Sequence, residues 1–523
     1  MQKMTKFGFT APHHAAAKVG NDILEQGGTA IEAMVAAAAS IAVVYPHMNG
    51  LGGDGFWLIS EPGKDPIAID ACGVAAQLAS LDYYAQEQQI PSRGPKAALT
   101  MAGAVAGWQK ALDISANWQS SLPLKTLLQG AITQASEGIE VTQSMEDASV
   151  KTFEDLSGNV HFSQFLNKGK VLKKGDTVVL ATLASTLSRL AEVGLDDFYQ
   201  GEIAQQLAND LTKAGSPIRL DDFHQYQAKL VTPLNVSTSF GKIYNLPAPT
   251  QGVASLLILA LFDKVKDQAT NETEFVHLLI ECTKQAFIAR NQYVTDPSRL
   301  STDLQQLLSD QSLDDMLTNI SVKTALPWPY EAKHGDTIWM GACDNQGRMV
   351  SYIQSLYWEY GSGVVSPSTG IVWNNRGTSF SLEKDHLQAL APGLKPFHTL
   401  NPAFAELTDG RRLSYGTMGG EGQPQTQAAL FSRFIYQGKS LQQSIALGRW
   451  LLGRTWGDQS HNLKIESDLA TEVGQALIEK GHDMVIVDAC NELMGHAGAV
   501  ILDTQGNVDA ATDPRSDGQA FTS

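Results

Sequence analysis

Asp336-Thr337-Ile-Trp-Met-Gly-Ala-Cys343-Asp344-Asn-Gln-Gly347-Arg-Met349-Val-Ser-Tyr-Ile-Gln-Ser355-Leu356 is the stretch whose reading decides the fold. Two β-type runs, Thr337 to Cys343 and Met349 to Leu356, flank Asp344-Asn-Gln-Gly347. The spacing predicts a hairpin with Gly347 in a left-handed position. A three-residue loop over 345–347 places Thr337 opposite Ser355, two hydroxyls on neighbouring strands; a two-residue loop would pair Thr337 with Gln354 instead. Immediately upstream, LPWPYEAKHG at 326–335 is polar and punctuated by proline, and it is the strongest break in the chain.

Working outward, residues 29–45 read as a helix. It opens with the capping box Thr29-x-x-Glu32, carries Ile31, Met34, Val35, Ala38, Ile41 and Ala42 on one face, and stops at Pro46. The turn Asn49-Gly-Leu-Gly-Gly-Asp-Gly55 then feeds the apolar strand FWLIS. It lacks the Lys-Ser/Thr of a phosphate loop, and a strand follows where that loop needs a helix. Residues 96–290 alternate helical stretches such as TLASTLSRLAEVG with turns, and Asn245 to Gly252 is an extended segment entering a helix. Downstream, Ser414-Tyr-Gly-Thr-Met-Gly-Gly-Glu-Gly422 lies between a strand, RRLSY, and a helix, PQTQAALFSRFI. Its adjacent glycines make either a plain turn or a pair of N–H groups aimed at one point, as in an oxyanion hole. His13-His14 reads as a solvated pair, and no cysteine or histidine spacing suggests a metal site.

The 523 residues carry 38 basic and 55 acidic side chains, a net charge of −17, which offers no basic field to nucleic acid. With 43 % hydrophobic residues, 46 glycines and 20 prolines, the composition is that of a globular protein and not of a fibrous or disordered chain. The longest apolar run, Ala33 to Tyr45, is shorter than the roughly 20 residues that span a bilayer. The opening MQKMTKFGFTAPHHAAAK has no apolar core followed by a cleavage site, so a cytoplasmic location and no membrane partner are expected. Cys72, Cys282, Cys343 and Cys490 are expected to be buried reduced thiols.

Eight segments in order resemble the gamma-glutamyltranspeptidase family of N-terminal-nucleophile hydrolases. They are ILEQGGTAIEAMVAAAASIAVVYPHMNGLGGDGFWL, NLPAPTQG, GDTIWMGACDNQGRMVSYIQS, GSGVV, GIVWNNRG, KPFHTLNP, GTMGGEG and GHAGAVILDTQGNVDAATDPRSDG. The resemblance implies an α+β fold, a four-layer αββα sandwich, and a precursor that cuts itself between Asp336 and Thr337. The expected pieces are a helix-rich fragment, 1–336, and a smaller fragment, 337–523, interleaved in one globular unit. Thr337 would then be the nucleophile, with its freed α-amine as base. Ser355 matches the family's hydroxyl partner of the nucleophile, Gly419 and Gly420 match its oxyanion-binding glycines, and Asn375 lines the pocket. No cofactor or metal is implied.

The departures from the family point to altered specificity. Cys72 stands where the family has the arginine that reads the glutamyl carboxylate. Ser379, ahead of Phe380, replaces the acid for the α-amine, and His398-Thr399 replaces a serine pair. Ile338-Trp339 follows the nucleophile in place of Thr-His. Losing both charged readers removes several kcal/mol of discrimination at about 1.5–3 kcal/mol per charged hydrogen bond. Arg376 or His398 could replace the lost contact for an acyl group with one carboxylate. The expected function is therefore that of an autoprocessed amidohydrolase or acyltransferase acting on a small amide or peptide with altered acyl preference. The alternatives are a true γ-glutamyl hydrolase or transpeptidase, or an unprocessed non-catalytic member.

Overall fold

Two antiparallel sheets lie face to face at the centre of the molecule. The computed structural model describes residues 6–118, 122–328, 336–453 and 461–523, without the side chains of Val160 and Asp336. The first sheet runs in the order Gln519–Thr522, Gly8–Ala11, Asp336–Cys343, Met349–Tyr357, Asp54–Ser60, Ile67–Ala71 and Lys229–Val231. The second runs Val508–Thr512, Ala497–Leu502, Arg412–Thr417, Ala403–Leu407, Gly241–Asn245 and Leu234–Thr238. Each sheet contains strands from both sides of position 337.

The layering follows from the period-2 pattern of the strands. In Asp336–Cys343, Ile338, Met340 and Ala342 face a helical layer that includes Ala30–Val44 and Ala104–Ala116. Trp339 and Cys343 face the other way, into a core between the sheets shared with Phe56, Leu58, Tyr244, Phe404 and Val500. The second sheet repeats the arrangement: Ile243, Ala403, Ala405, Leu413 and Tyr415 face the helices Gly252–Val265, Glu272–Tyr293 and Gln423–Ile435. Helix, sheet, sheet, helix is the αββα order.

Hydroxyls and one indole fasten the sheets to each other. Trp339 Nε1 donates to Ser351 Oγ at 2.9 Å, Ser351 Oγ donates to the Tyr415 carbonyl at 3.3 Å, and Ser414 Oγ donates to the Val350 carbonyl at 2.9 Å. The Trp339 ring lies so close to the second sheet that a Cβ at Gly416 would come within 2.2 Å of it. The strand that carries Thr337 and the strand that leads to Gly419 are thereby held in fixed relation.

The hairpin has the register of the three-residue loop. Met349 pairs with Cys343 and Gln354 with Ile338, and Gly347 is left-handed at φ +74°. The capping box at Thr29 and Glu32 forms. Three expectations need correction. The helix Ala30–Val44 is buried on every face, because another helical pair, Leu124–Glu137 and Ala181–Val193, packs outside it. His13 is buried and not solvated; its Nδ1 accepts from the Ala15 amide at 3.2 Å and so caps the helix His14–Glu25. Cys490 is exposed, whereas the other three cysteines are buried. Most of the break at 326–335 lies outside the described residues. Among those described, no helix is long and apolar enough to cross a membrane.

Candidate active site

Thr337 lies at the start of its strand and is fully buried. The ladder that pairs Ile338 with Gln354 resumes at Asp336 with Tyr357, so Ser355 and Leu356 together oppose Thr337 in a bulge. A bulge re-aims side chains and sharpens the local twist. Its far end is Tyr357, at φ +85°, a conformation uncommon for a bulky residue and one that clusters at functional sites. Ser355 Oγ accepts from the Tyr357 amide at 2.7 Å, which fixes the bulge. Gln423 Nε2 donates to Thr337 Oγ1 at 3.4 Å from the first turn of the helix Gln423–Ile435.

The helix Gln423–Ile435 follows the glycine turn. Gly419 and Gly420 sit at φ +120° and +53°, and among the described residues neither amide has an acceptor. The Met418 amide donates to the His496 carbonyl at 3.2 Å, while Gln251 Nε2 donates to the Gly420 and Thr399 carbonyls, both at 2.8 Å. Arg290 holds Gln251 Oε1 at 2.8 Å and Glu421 at 2.7 Å. Behind the turn, Arg449 donates to the carbonyls of Met494 and Gly495 at 3.0 and 2.8 Å and pairs with Asp513, which also meets Arg515. Burial would raise the Asp513 carboxyl, but the two arginines hold it below its ordinary value.

Thr399 connects the turn to a buried guanidinium. Arg376 Nη1 donates to Thr399 Oγ1 at 3.2 Å, and its Cζ stacks 3.8 Å from the centre of the Tyr357 ring. Such a contact contributes about 2 kcal/mol when desolvated. Arg376 Nε faces Asp54 Oδ2 at 3.6 Å, and neither Nε nor Nη2 has a hydrogen-bond partner among the described residues. The Asp54 carboxylate balances the charge, but the Nη2 of this fully buried guanidinium is costly to leave bare unless a ligand completes it.

Asp54 organises the ground beneath. Its Oδ1 accepts from the Gly73 amide and its Oδ2 from His398 Nε2, both at 3.0 Å. His398 Nδ1 accepts from the Leu400 amide at 3.3 Å, so the Asp54 bond carries the ring proton. Burial and then Arg376 lower the His398 pKa to about 3, leaving the ring neutral. Cys72 is buried in this layer, its thiol pushed up by burial and by Asp54 and Asp70. The ligand atoms of Asp54, Cys72 and His398 lie within 4.8 Å of one another. The Arg376 cation beside the same carboxylate opposes a second positive charge there.

Of the residues singled out in the sequence, Thr337 and Ser355 meet in the bulge, Gly419 and Gly420 form the turn, and Arg376, His398, Thr399, Ser379 and Cys72 converge around Tyr357 and Asp54. Ser379 is buried beside the Tyr357 phenol. Asn375 is committed elsewhere: its Nδ2 donates to the Ser92 carbonyl at 2.9 Å and its Oδ1 accepts from the Trp358 amide at 3.1 Å. The side chains that the sequence reading missed are Asp54, Tyr357, Gln251, Gln423 and Arg449. Asp54 alone carried a signal, as an acid inside a glycine-dense turn.

The family model described as Gamma-glutamyltranspeptidase matches residues 16–523. The chain belongs to the gamma-glutamyltranspeptidase family. It is 51 % identical over 512 residues to an oxamate amidohydrolase proenzyme of Klebsiella pneumoniae, covering 98 % of this chain and 97 % of that one. It is 34 % identical over 520 residues to a glutathione hydrolase-like proenzyme of Bacillus subtilis, with coverage of 99 % and 98 %. Among solved structures it resembles a cephalosporin acylase from Bacillus halodurans, with a TM-score of 0.89, 30 % identity and coverage of 99 % and 96 %. The chain is an enzyme of the N-terminal-nucleophile class that hydrolyses amides or transfers acyl groups.

Proposed function

We propose that the chain cleaves itself between Asp336 and Thr337 and that Thr337 then hydrolyses the amide of a short acyl group bearing one carboxylate next to the scissile carbonyl, the oxamate class. The observation that carries this reading is the buried Arg376, whose Nη2 has no hydrogen-bond partner among the described residues. It stands beside Thr399, which shares Gln251 with Gly420. A carboxylate on Nη2 gains a charge-assisted hydrogen bond of about 1.5–3 kcal/mol. The acyl carbonyl would then reach the Gly419 and Gly420 amides. A γ-glutamyl head also needs an anionic contact for its α-amine, which Ser379 does not supply. The 51 % identity to a protein named oxamate amidohydrolase supports the same class.

In this reading the freed α-amine, of pKa about 7.7–8.0, takes the Thr337 hydroxyl proton as Oγ attacks the carbonyl carbon. The two glycine amides hold the tetrahedral oxyanion, at roughly 3–4 kcal/mol per donor. The C–N bond breaks as the nitrogen receives the proton from the α-ammonium, leaving an ester on Oγ. Water, deprotonated by the α-amine, attacks that ester and releases the acid. Ser355 holds the bulge that presents Oγ. The test is ammonium release from oxamate set against aniline release from a γ-glutamyl anilide. Oxamate should show a kcat/KM at least 10²-fold higher, and an equal or higher value for the γ-glutamyl anilide would refute the assignment.

A further inference from the structure

The helix that follows the glycine turn opens with three buried glutamines, Gln423, Gln425 and Gln427. Two of them are engaged at both ends. Gln425 bonds the strand Trp450–Leu452 as a backbone would, its Nε2 donating to the Leu452 carbonyl at 3.0 Å and its Oε1 accepting from the Leu452 amide at 2.8 Å. Gln427 Nε2 donates to the Asn401 carbonyl and Oδ1 at 2.6 and 2.7 Å, and its Oε1 accepts from Asn245 Nδ2 at 3.5 Å. Gln423 differs. Its Nε2 reaches Thr337 Oγ1 at 3.4 Å, whereas its Oε1 is buried and has no hydrogen-bond partner among the described residues.

A buried acceptor without a donor is costly, and folded chains seldom keep one. The open groups around it are chiefly donors, the Gly419 and Gly420 amides and Arg376 Nη2. The group beside it is the one that a cut at 337 changes. In the uncut chain the Thr337 nitrogen is an amide with a single N–H, and after the cut it is an amine or ammonium, which carries more. That nitrogen lies about 3 Å from Oγ1 of its own residue in a gauche rotamer and less than about 4 Å in any. The two ends of a carboxamide are about 2.3 Å apart. Such a group spans a vicinal amino alcohol end to end. Because an ammonium only donates, oxygen is the end that faces it.

We propose that Gln423 positions the base of the reaction: Oε1 accepts an N–H of the freed Thr337 α-amine while Nε2 stays on Oγ1, so that one side chain aligns base and nucleophile. The charged side chains around the site are committed to one another, Glu421 to Arg290, Arg376 to Asp54, and Arg449 and Arg515 to Asp513 and Glu466. A neutral acceptor holds the amine without locking it as the ammonium, which a carboxylate in its place would do. This role rests on the Thr337 reading.

The test begins with the cut wild-type protein. In its crystal structure Gln423 Oε1 should lie within about 3.2 Å of the Thr337 nitrogen. A chain that begins at Thr337 with Oε1 turned away from that nitrogen would overturn this role alone, whereas a chain that begins at another residue would remove the Thr337 reading with it. Function is read from the pH dependence of kcat/KM for oxamate, whose acid limb reports the amine of the free enzyme. Gln423→Met keeps the length of the side chain without its polar ends; it should move the acid limb down by about half a pH unit or more and lower kcat about tenfold. Gln423→Glu should move the limb up by about one pH unit or more. N-terminal sequencing shows that Thr337 is free in each variant. Unchanged acid limbs in the cut variants would overturn the proposal, since a glutamine that only fills space leaves the titration of the amine where it was. Where a variant stays uncut, the wild-type distance decides.

Discussion

His398 shows how one residue ties the site to the stability of the chain. Its ring donates to Asp54 and accepts from the Leu400 amide, and burial holds it neutral with a pKa of about 3 against an ordinary value of 6.5. An unfolded chain takes up this proton near pH 6.5 and the folded one does not. Stability is therefore fully present above pH 6.5 and falls as the pH drops below it, by roughly 1 kcal/mol per pH unit for each such histidine. His13 and His47, also with pKa values of about 3, add to the slope. Thermal unfolding between pH 7 and 4.5 should show Tm falling steadily, with a shallower slope in His398→Gln. An unchanged slope in that variant would mean that His398 is protonated in the fold. The sequence placed His398 among the pocket residues, yet its partner Asp54 lies on a strand 344 positions away, and local pattern carries no information about such pairings.

Among the elements, the hairpin from Asp336 to Tyr357 was the most legible. Alternation left two registers open, and the structure has the one of the three-residue loop from Cys343 to Ile338. The bulge that sets Ser355 and Leu356 against Thr337 was not legible, because it depends on Tyr357 taking φ +85° under the stacked Arg376. Asn375 was read as a pocket residue from its neighbours, but both ends of its amide hold loops at Ser92 and Trp358. The closing segment DPRSDG matched the family as a string, and its physical content is the buried set Asp513, Arg515, Arg449 and Glu466. This set holds the 494–496 loop against the glycine turn: Arg449 grips Met494 and Gly495, and the His496 carbonyl takes the Met418 amide. Arg449→Met would leave Asp513 partly unpaired, at a cost of about 3–5 kcal/mol, and would loosen the turn. The expected outcome is a lowered Tm together with a fall in kcat that exceeds any change in KM. A variant with wild-type Tm and kcat would contradict the link between network and turn.

At the scale of the molecule, the αββα order was accessible from the resemblance, and the structure adds why a cut at 337 need not separate the pieces. The strand Asp336–Cys343 lies between Gly8–Ala11 and Met349–Tyr357, and the second sheet joins Gly241–Asn245 to Ala403–Leu407. Both sheets thus hydrogen-bond residues from the two sides of the break, and the core between them draws on both. The sequence could not show this, since strand order depends on contacts between remote segments. The central claim is that Thr337 becomes an N-terminal residue. Intact-mass spectrometry of the purified protein with N-terminal sequencing tests it most directly. The account predicts two fragments in place of the 56.4 kDa chain, together heavier by one water, the smaller beginning Thr337-Ile-Trp-Met, and a single uncut chain for Thr337→Ala. A wild-type chain that hydrolyses its substrate while still one piece, or a new N-terminus at any other residue, would contradict it.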